Sequence, residues 1–355
     1  MKRRYLILAS DLFAENAKTA HGVIAYGQDE TVAVVDPSCA GKSVRDVVPY
    51  LQSGAPIVAS VREGLQYRPT SLLIGMAPKG GKLPEPLRRE ILDAIGAGLE
   101  IVSGLHDMLG EDAEFAEAAT RSGAAIWDVR KPPETPIFSG AAYDVKQPIV
   151  LAVGNDCAVG KMTVMLELAK AAARQGTRAE FVPTGQTGIM IAGWGIAVDR
   201  VISDFAPGAC EQLVLEAASR NPDCILVEGQ GSINHPAYAP VTLSLLFGST
   251  PDALLLVVDP ARTSIESYKT PILQYERLIE VYESTCALLK PASVIGIALN
   301  TRRLTEEQAR AAIVEARDRT GLPADDVVRF GPDNLWSAIA PALHKRQPLD
   351  TEIHA

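Results

Sequence analysis

Short runs of valine, isoleucine and leucine alternate with longer amphipathic stretches along almost the whole chain. Apart from Thr31, Asp128 and Glu180, the runs at residues 5–9, 31–35, 57–59, 72–76 and 126–129 are apolar, as are those at 149–153, 179–182, 225–227, 254–258 and 294–299. A strand with one wet face would alternate polar and apolar positions; these do not, so they predict parallel strands covered on both faces. The stretches at 86–97, 162–175, 210–219 and 271–289 predict helices between them. Alternating strands and helices predict a doubly wound α/β architecture.

One break interrupts the rhythm. Lys131-Pro132-Pro133-Glu134-Thr135-Pro136 leads through Ser139-Gly140 to Gln147-Pro148. Prolines so spaced carry neither a helix nor a central strand, so this segment predicts an extended linker. At 355 residues the chain exceeds one ordinary core, and two domains are expected. The division predicted is an N-terminal Rossmann-like α/β domain at 1–135, a linker at 136–148 and a C-terminal P-loop NTPase-like domain with a doubly wound parallel sheet at 149–355.

Composition narrows the class. A net charge of −9 excludes broad electrostatic capture of nucleic acid or an anionic membrane. Five cysteines, scattered and without a CxxC pair, point to a reducing compartment. The five histidines show no HxxxH-type spacing. The apolar run after Met1-Lys2-Arg3-Arg4 stops at Asp11, too short for a signal peptide. No window approaches the ~18 apolar residues of a membrane span. A cytoplasmic protein is expected.

The strongest chemical signal follows the run at 149–153. Gly154, Asn155, Asp156, Cys157, Ala158, Val159, Gly160, Lys161, Met162 and Thr163 form a strand–turn–helix junction with glycines at both ends of the turn and a lysine opening the helix. Small residues let backbone amides converge on phosphate oxygens, the helix N-terminus adds positive potential, and the lysine neutralises the outer phosphate. The leading glycine stands six residues before Gly160, and an aspartate follows it by two. That longer G-x5-G-K form resembles the loop of dethiobiotin synthetase and its ATP-dependent relatives. Met162, however, occupies the place where a Ser or Thr hydroxyl ordinarily ligates Mg²⁺, and Thr163 would project about 100° further round the helix. The loop suits a pyrophosphate ligand better than metal-assisted hydrolysis.

Other strand ends carry polar groups. Glu228-Gly229-Gln230-Gly231-Ser232 puts a carboxylate at the tip of a buried strand, where open α/β sheets bind ligands. Glu228 reads as an acidic metal ligand, a general base or a cap for the glycine turn. His235 is a second titratable candidate. Thr184, Gln186 and Thr187 stand among Gly185, Gly188, Gly193 and Gly195, which predicts a loop wrapped round a polar ligand. Asp199, Arg200 and Asp204 follow. Arg262 ends another strand, and Asn300 ends the next, as a candidate for an adenine edge. Thr305-Glu306-Glu307-Gln308 reads as a capping box. Weaker echoes lie upstream. Asp36-Pro37-Ser38-Cys39-Ala40-Gly41-Lys42-Ser43 resembles the tail of a P-loop or is a plain strand–helix turn with Lys42 in solvent. Gly75 to Lys82 offers two lysines beside backbone amides, and Ser103-Gly104-Leu105-His106-Asp107 follows another strand.

Taken together, Ala40-Gly41-Lys42, Ser103 to Asp107, Asp128-Val129-Arg130-Lys131-Pro132-Pro133, the loop from Gly154 to Thr163, Thr184-Gly185-Gln186-Thr187-Gly188 and Glu228 to Ser232 span nearly the whole chain. In these motifs the chain resembles a family of P-loop proteins long known only as a domain of unknown function, with members assigned as D-glutamate N-acetyltransferases. The resemblance implies acetyl-CoA as co-substrate and an acidic D-amino acid, D-glutamate, as acceptor. On that reading the loop holds the pyrophosphate of coenzyme A, and Glu228 or His235 takes the ammonium proton. Lys161 or a backbone amide stabilises the oxyanion, with Arg200, Arg262 or Lys269 meeting the acceptor's carboxylates. A competing reading is an ATP- and Mg-dependent carboxylate- or carbamate-activating enzyme, with the ion held through Thr163, Asp156 and Glu228. A third is a nucleotide- or CoA-binding regulator without turnover. A homo-oligomer is expected, with no nucleic-acid or membrane partner.

Overall fold

The computed structural model describes residues 2–76 and 83–343. The chain divides into two compact units. One runs to Pro132 and takes back Gln186–Arg200; the other comprises Pro133–Gly185 and the chain from Val201 onward.

In the first unit six strands form one parallel sheet: β1 (Arg4–Leu8), β2 (Glu30–Val35), β3 (Ile57–Val58), β4 (Ser71–Ile74), β5 (Glu100–Ser103) and β6 (Ile126–Asp128). Their order, β3-β2-β1-β4-β5-β6, is that of the Rossmann fold. β1 and β4 are buried along almost their full length, which is why their sequence is apolar without alternation. The turn after β2 is closed by buried Asp36, which accepts the amides of Asp11, Phe13 and Ser38 at 3.1, 2.9 and 2.9 Å. Lys42 beyond it is exposed, so this turn is a strand–helix connection rather than a phosphate cradle. Of the Gly75 to Lys82 segment, residues 77–82 lie outside the described residues.

The second unit repeats the plan with β7 (Ile149–Gly154), β8 (Ala179–Val182), β9 (Cys224–Val227), β10 (Ala253–Val258), β11 (Ser293–Leu299) and β12 (Ala324–Asp325). All neighbours are parallel, in the order β12-β11-β10-β7-β9-β8. The order reverses at β7, so the turn that leaves β7 lies at the switch point where such sheets bind ligands. The α/β class expected from the alternation of elements is the one observed.

Differences are local. The stretch at 271–289 is helical only over Tyr275–Cys286, because Pro271 pairs with Ser264 in an antiparallel bridge before the helix begins. The glycine-rich segment after Thr184, expected as a loop, is a helix over Gln186–Ala192 with Thr187, Ile189, Met190 and Ile191 buried in the first unit. From Lys131 to Ser139 the proline-rich stretch is neither helix nor strand, as expected, but Ala141–Asp144 form a short 3-10 helix, and from Pro133 on the chain is fixed to the second unit. Gly208 of the helix Ala206–Ser219 lies directly under the Pro136 carbonyl, and buried Glu211 accepts the amides of Ser139 at 2.7 Å and Ala142 at 3.1 Å. Thr305 and Gln308 form the expected capping box. Among the described residues no helix is long and apolar enough to cross a membrane.

Candidate phosphate-binding site

β7 ends at Gly154, and the helix Lys161–Arg174 begins directly after Gly160. The turn between them needs left-handed backbone at Ala158 (φ 54°) and Gly160 (φ 108°). No side chain caps this helix, so its first-turn amides keep their capacity for an anion. Lys161 is only 5% exposed. Its ammonium donates to the carbonyls of Asp156 at 2.8 Å and Gly231 at 2.7 Å, joining the turn after β7 to the turn after β9.

Asp156 is fully buried and forms a close ion pair with Arg262. It also accepts the amides of Cys157 at 2.7 Å and Glu266 at 2.9 Å. Burial by itself would raise its pKa; the Glu266 amide, the Arg262 guanidinium and the Cys157 amide outweigh that and hold the carboxyl below the ordinary range. Arg262 donates further to the Cys157 carbonyl at 3.1 Å and faces Asp259 and Glu266 at 3.4 Å each. Its charge is therefore answered inside the protein.

His235 is buried beside this pair. Its Nδ1 accepts the amides of Ala237 and Tyr238 at 3.1 and 3.2 Å, which puts the ring proton on Nε2, facing Cys157 Sγ at 3.7 Å and Asp156 at 3.8 Å. Burial lowers its basicity, partly offset by Asp156. The ring stacks on Tyr238 with centroids 4.5 Å apart. In this arrangement His235 shapes the turn into the helix Ala239–Ser249.

The tip of β9 is equally fixed. Glu228 Oε2 accepts the amides of Thr184 at 3.0 Å and Gly185 at 3.1 Å, while the Thr184 hydroxyl donates to the Glu228 carbonyl at 2.9 Å. Gln230 donates to the Thr184 carbonyl at 2.6 Å. Gly229 lies against the backbone of Ala152 and 3.0 Å from Lys161 Cδ, measured from where a Cβ would stand. Gly231 needs φ 62° and has Tyr238 and Thr242 against it. Buried Tyr282 ties the two turns together: its hydroxyl donates to the Gly154 carbonyl at 2.8 Å and accepts the Ile233 amide at 3.0 Å. Tyr282→Phe would leave these buried groups unpaired, at a cost of about 1–3 kcal/mol. The measurement is a denaturant midpoint; an unchanged midpoint would show that the hydroxyl does not brace the turns.

The remaining sequence candidates are distributed as follows. Asn155 exchanges side-chain hydrogen bonds of 3.3 Å with the backbone of Asp259. Asn300 donates to the Val159 carbonyl at 2.9 Å, so its amide braces the loop. Met162 is buried at the start of the helix, and Thr163 is partly exposed. Lys269 is exposed on the segment after Arg262. Gln186, Thr187 and Arg200 belong to the first unit, where Thr187 meets Thr19 at 3.0 Å, hydroxyl to hydroxyl, and Arg200 is exposed.

A P-loop domain described as a domain of unknown function (DUF1611_C) matches residues 136–336, and the Rossmann-like DUF1611_N domain matches residues 37–132. The chain belongs to the DUF1611 family. The crystal structure of a DUF1611 family protein from Anabaena variabilis is 40% identical, with a TM-score of 0.91, and the match covers 96% of this chain and 100% of that one. A protein of Tritonibacter scottomollicae named D-glutamate N-acetyltransferase is 38% identical over 274 residues, 76% of this chain and 81% of its own length. A Pseudoalteromonas protein of the same name is 37% identical over 278 residues, 78% of this chain and 83% of its own.

In this DUF1611 chain Asp156, Cys157 and His235 bring one potential metal donor each within 4.8 Å. The set fits a cation poorly. His235 presents a protonated Nε2 to it, Asp156 is already paired with Arg262, and burial with the Asp156 and Glu266 carboxylates pushes the Cys157 thiol up to about 11. Two residues of the site are legible only in the folded chain: Tyr282, which gives no local sign of its role, and Glu266, whose amide reaches Asp156 across 110 positions.

Proposed function

We propose that this protein transfers an acetyl group from acetyl-CoA to the amino group of D-glutamate. The observation that carries the reading is the likeness to two relatives bearing the name D-glutamate N-acetyltransferase, over three-quarters of the chain. The phosphate loop supports it. Met162 brings no hydroxyl for Mg²⁺, and Asp156 is committed to Arg262, which disfavours the ATP-dependent reading. A pyrophosphate that only has to be held is served by Lys161 and the uncapped helix start.

The chemistry asks for a deprotonated amine, a donor at the forming oxyanion and correct placement. The amine attacks the thioester carbon, the C–N bond forms, the C–S bond breaks, and the coenzyme thiolate leaves and takes a proton. In coenzyme A the thioester lies at the far end of the pantetheine arm from the pyrophosphate. Groups packed round the phosphate loop therefore hold the donor, and Glu228, whose neighbour Gly229 abuts Lys161, belongs with them. Its carboxylate orders the Thr184–Gly185 turn.

Glu228→Gln keeps an oxygen for those amides and deletes the charge, so kcat should change by less than about tenfold. A loss of about 10²–10⁴-fold, the range for a missing general base, would return Glu228 to the reacting atoms. Cys157, with its thiol protonated at neutral pH, is not needed as an acetyl carrier. Cys157→Ser should retain turnover within about threefold and leave sequential kinetics; ping-pong kinetics in the parent protein would contradict direct transfer.

The reading itself is tested by incubating the protein with D-glutamate and either acetyl-CoA or Mg-ATP, following free thiol and ADP. Thiol release that depends on D-glutamate is expected. ADP release without thiol would overturn it in favour of an ATP-dependent enzyme, and ligand binding with neither product would favour a regulator.

A further inference from the structure

Beside the phosphate loop the second unit has a cleft of about 490 Å³, lined among others by Arg262, Glu266, Tyr268, Lys269 and Arg303, with Glu266 facing Arg262 at 3.4 Å. Its place is fixed by contacts with the loop itself. Arg262 pairs with Asp156 and donates to the Cys157 carbonyl, and the Glu266 amide reaches Asp156 at 2.9 Å. On the other side Arg303 follows Asn300, which holds the Val159 carbonyl.

The charges here are uneven. Arg262 is balanced by Asp156, Asp259 and Glu266. Among the described residues Lys269 and Arg303 have no such partner: neither makes an ion pair. In a chain of net charge −9, two unanswered cations in one cleft mark a seat for an anion, and the loop next to it is built for phosphate.

We propose that this cleft receives the 3′-phosphate of the coenzyme's ribose, so that the site distinguishes coenzyme A from a simple nucleoside diphosphate; this rests on the acetyl-CoA reading above. A 5′-pyrophosphate and a 3′-phosphate on one ribose are separated by no more than the sugar, and they require two adjoining anion sites. The phosphate loop is one and the Lys269–Arg303 cleft is the other. An acceptor carboxylate, the partner that sequence alone suggests for Lys269, would be met at the thioester end, a pantetheine arm away. A phosphomonoester carries close to two negative charges at neutral pH and accepts several charge-assisted hydrogen bonds.

Calorimetric titration with coenzyme A and with 3′-dephospho-coenzyme A tests the assignment. The parent protein should bind coenzyme A at least about tenfold more tightly than the dephospho form, a difference of roughly 1.4 kcal/mol, and the ratio should shrink as salt is raised. Lys269→Ala and Arg303→Ala should each cut the ratio by about threefold or more and together bring it near one, with affinity for the dephospho form moving less than about twofold. Equal affinity for both forms in a protein that still transfers acetyl would overturn the cleft assignment and leave the donor reading standing. Absence of binding by either form would overturn both. A rise in the KM for D-glutamate in the variants, with the ratio intact, would assign the cleft to the acceptor instead.

Discussion

Gly229→Ala should destabilise the second unit by more than about 4 kcal/mol, a range reached by few mechanisms, of which overpacking against fixed buried backbone is one. A Cβ at this position would overlap the carbonyl oxygen of Ala152, lie 2.7 Å from its carbonyl carbon and press within 3.0 Å of Lys161 Cδ. Lys161 has a flexible stem, but Ala152 is in the middle of β7, paired to Leu255 of β10, and its neighbour Leu151 is paired to Val227 of β9. Neither partner can give way without shearing the sheet. The backbone of Gly229 itself is not left-handed, so the requirement is for space, not for an unusual φ. Gly176→Ala makes the contrast within the same unit: its φ is 81° and nothing lies within 4 Å of the new atom. That change should cost about 1 kcal/mol. Denaturant unfolding of the two variants gives the comparison, and similar midpoints would mean that the approach of the β9 turn to β7 is looser than described.

Lys161→Ala should weaken binding of coenzyme A and of ADP alike by about 10–150-fold, the equivalent of one or two charge-assisted hydrogen bonds. Both ligands carry the pyrophosphate that the ammonium would meet, so both should suffer, whereas loss of Lys269 should affect only the ligand with a 3′-phosphate. The ammonium now rests on the carbonyls of Asp156 and Gly231, contacts that keep it at the mouth of the turn. Part of the effect will come from those carbonyls losing their donor, and a parallel unfolding measurement separates that share. Unchanged affinity for both ligands would show that the turn after β7 is not where phosphate binds.

Much of this was legible because the physics is local. β7 and β10 are buried along their entire length, and only an unbroken apolar run satisfies that. The glycines, lysine and helix start of the phosphate loop follow one another within a few residues, so the sequence displays them together. What escaped is what depends on distant partners. Tyr282 looks like any aromatic on an amphipathic helix, and its hydroxyl serves Gly154, 128 positions away. Arg262 stood out as a cation at a strand end, but its partner Asp156 is 106 positions upstream. Glycines at 185, 188, 193 and 195 suggested a loop; burial of Ile189, Met190 and Ile191 makes most of that segment helical despite its weak intrinsic preference. β12 pairs only two residues with β11, too few for any periodicity.

The segment Gln186–Arg200 has a further consequence for how such a chain can be divided. The polypeptide passes from one grouping to the other after Pro132, again after Gly185, and once more after Arg200. No single cut separates the halves. A fragment starting at Pro133 would carry the apolar side chains of Ile189, Met190 and Ile191 without the residues that cover them. A fragment ending at Pro132 would keep Arg130 but lose Asp199, its ion-pair partner. Recombining halves between relatives would therefore succeed only if residues 186–200 travel with the amino-terminal half, an interleaving that ties the inheritance of one half to the other.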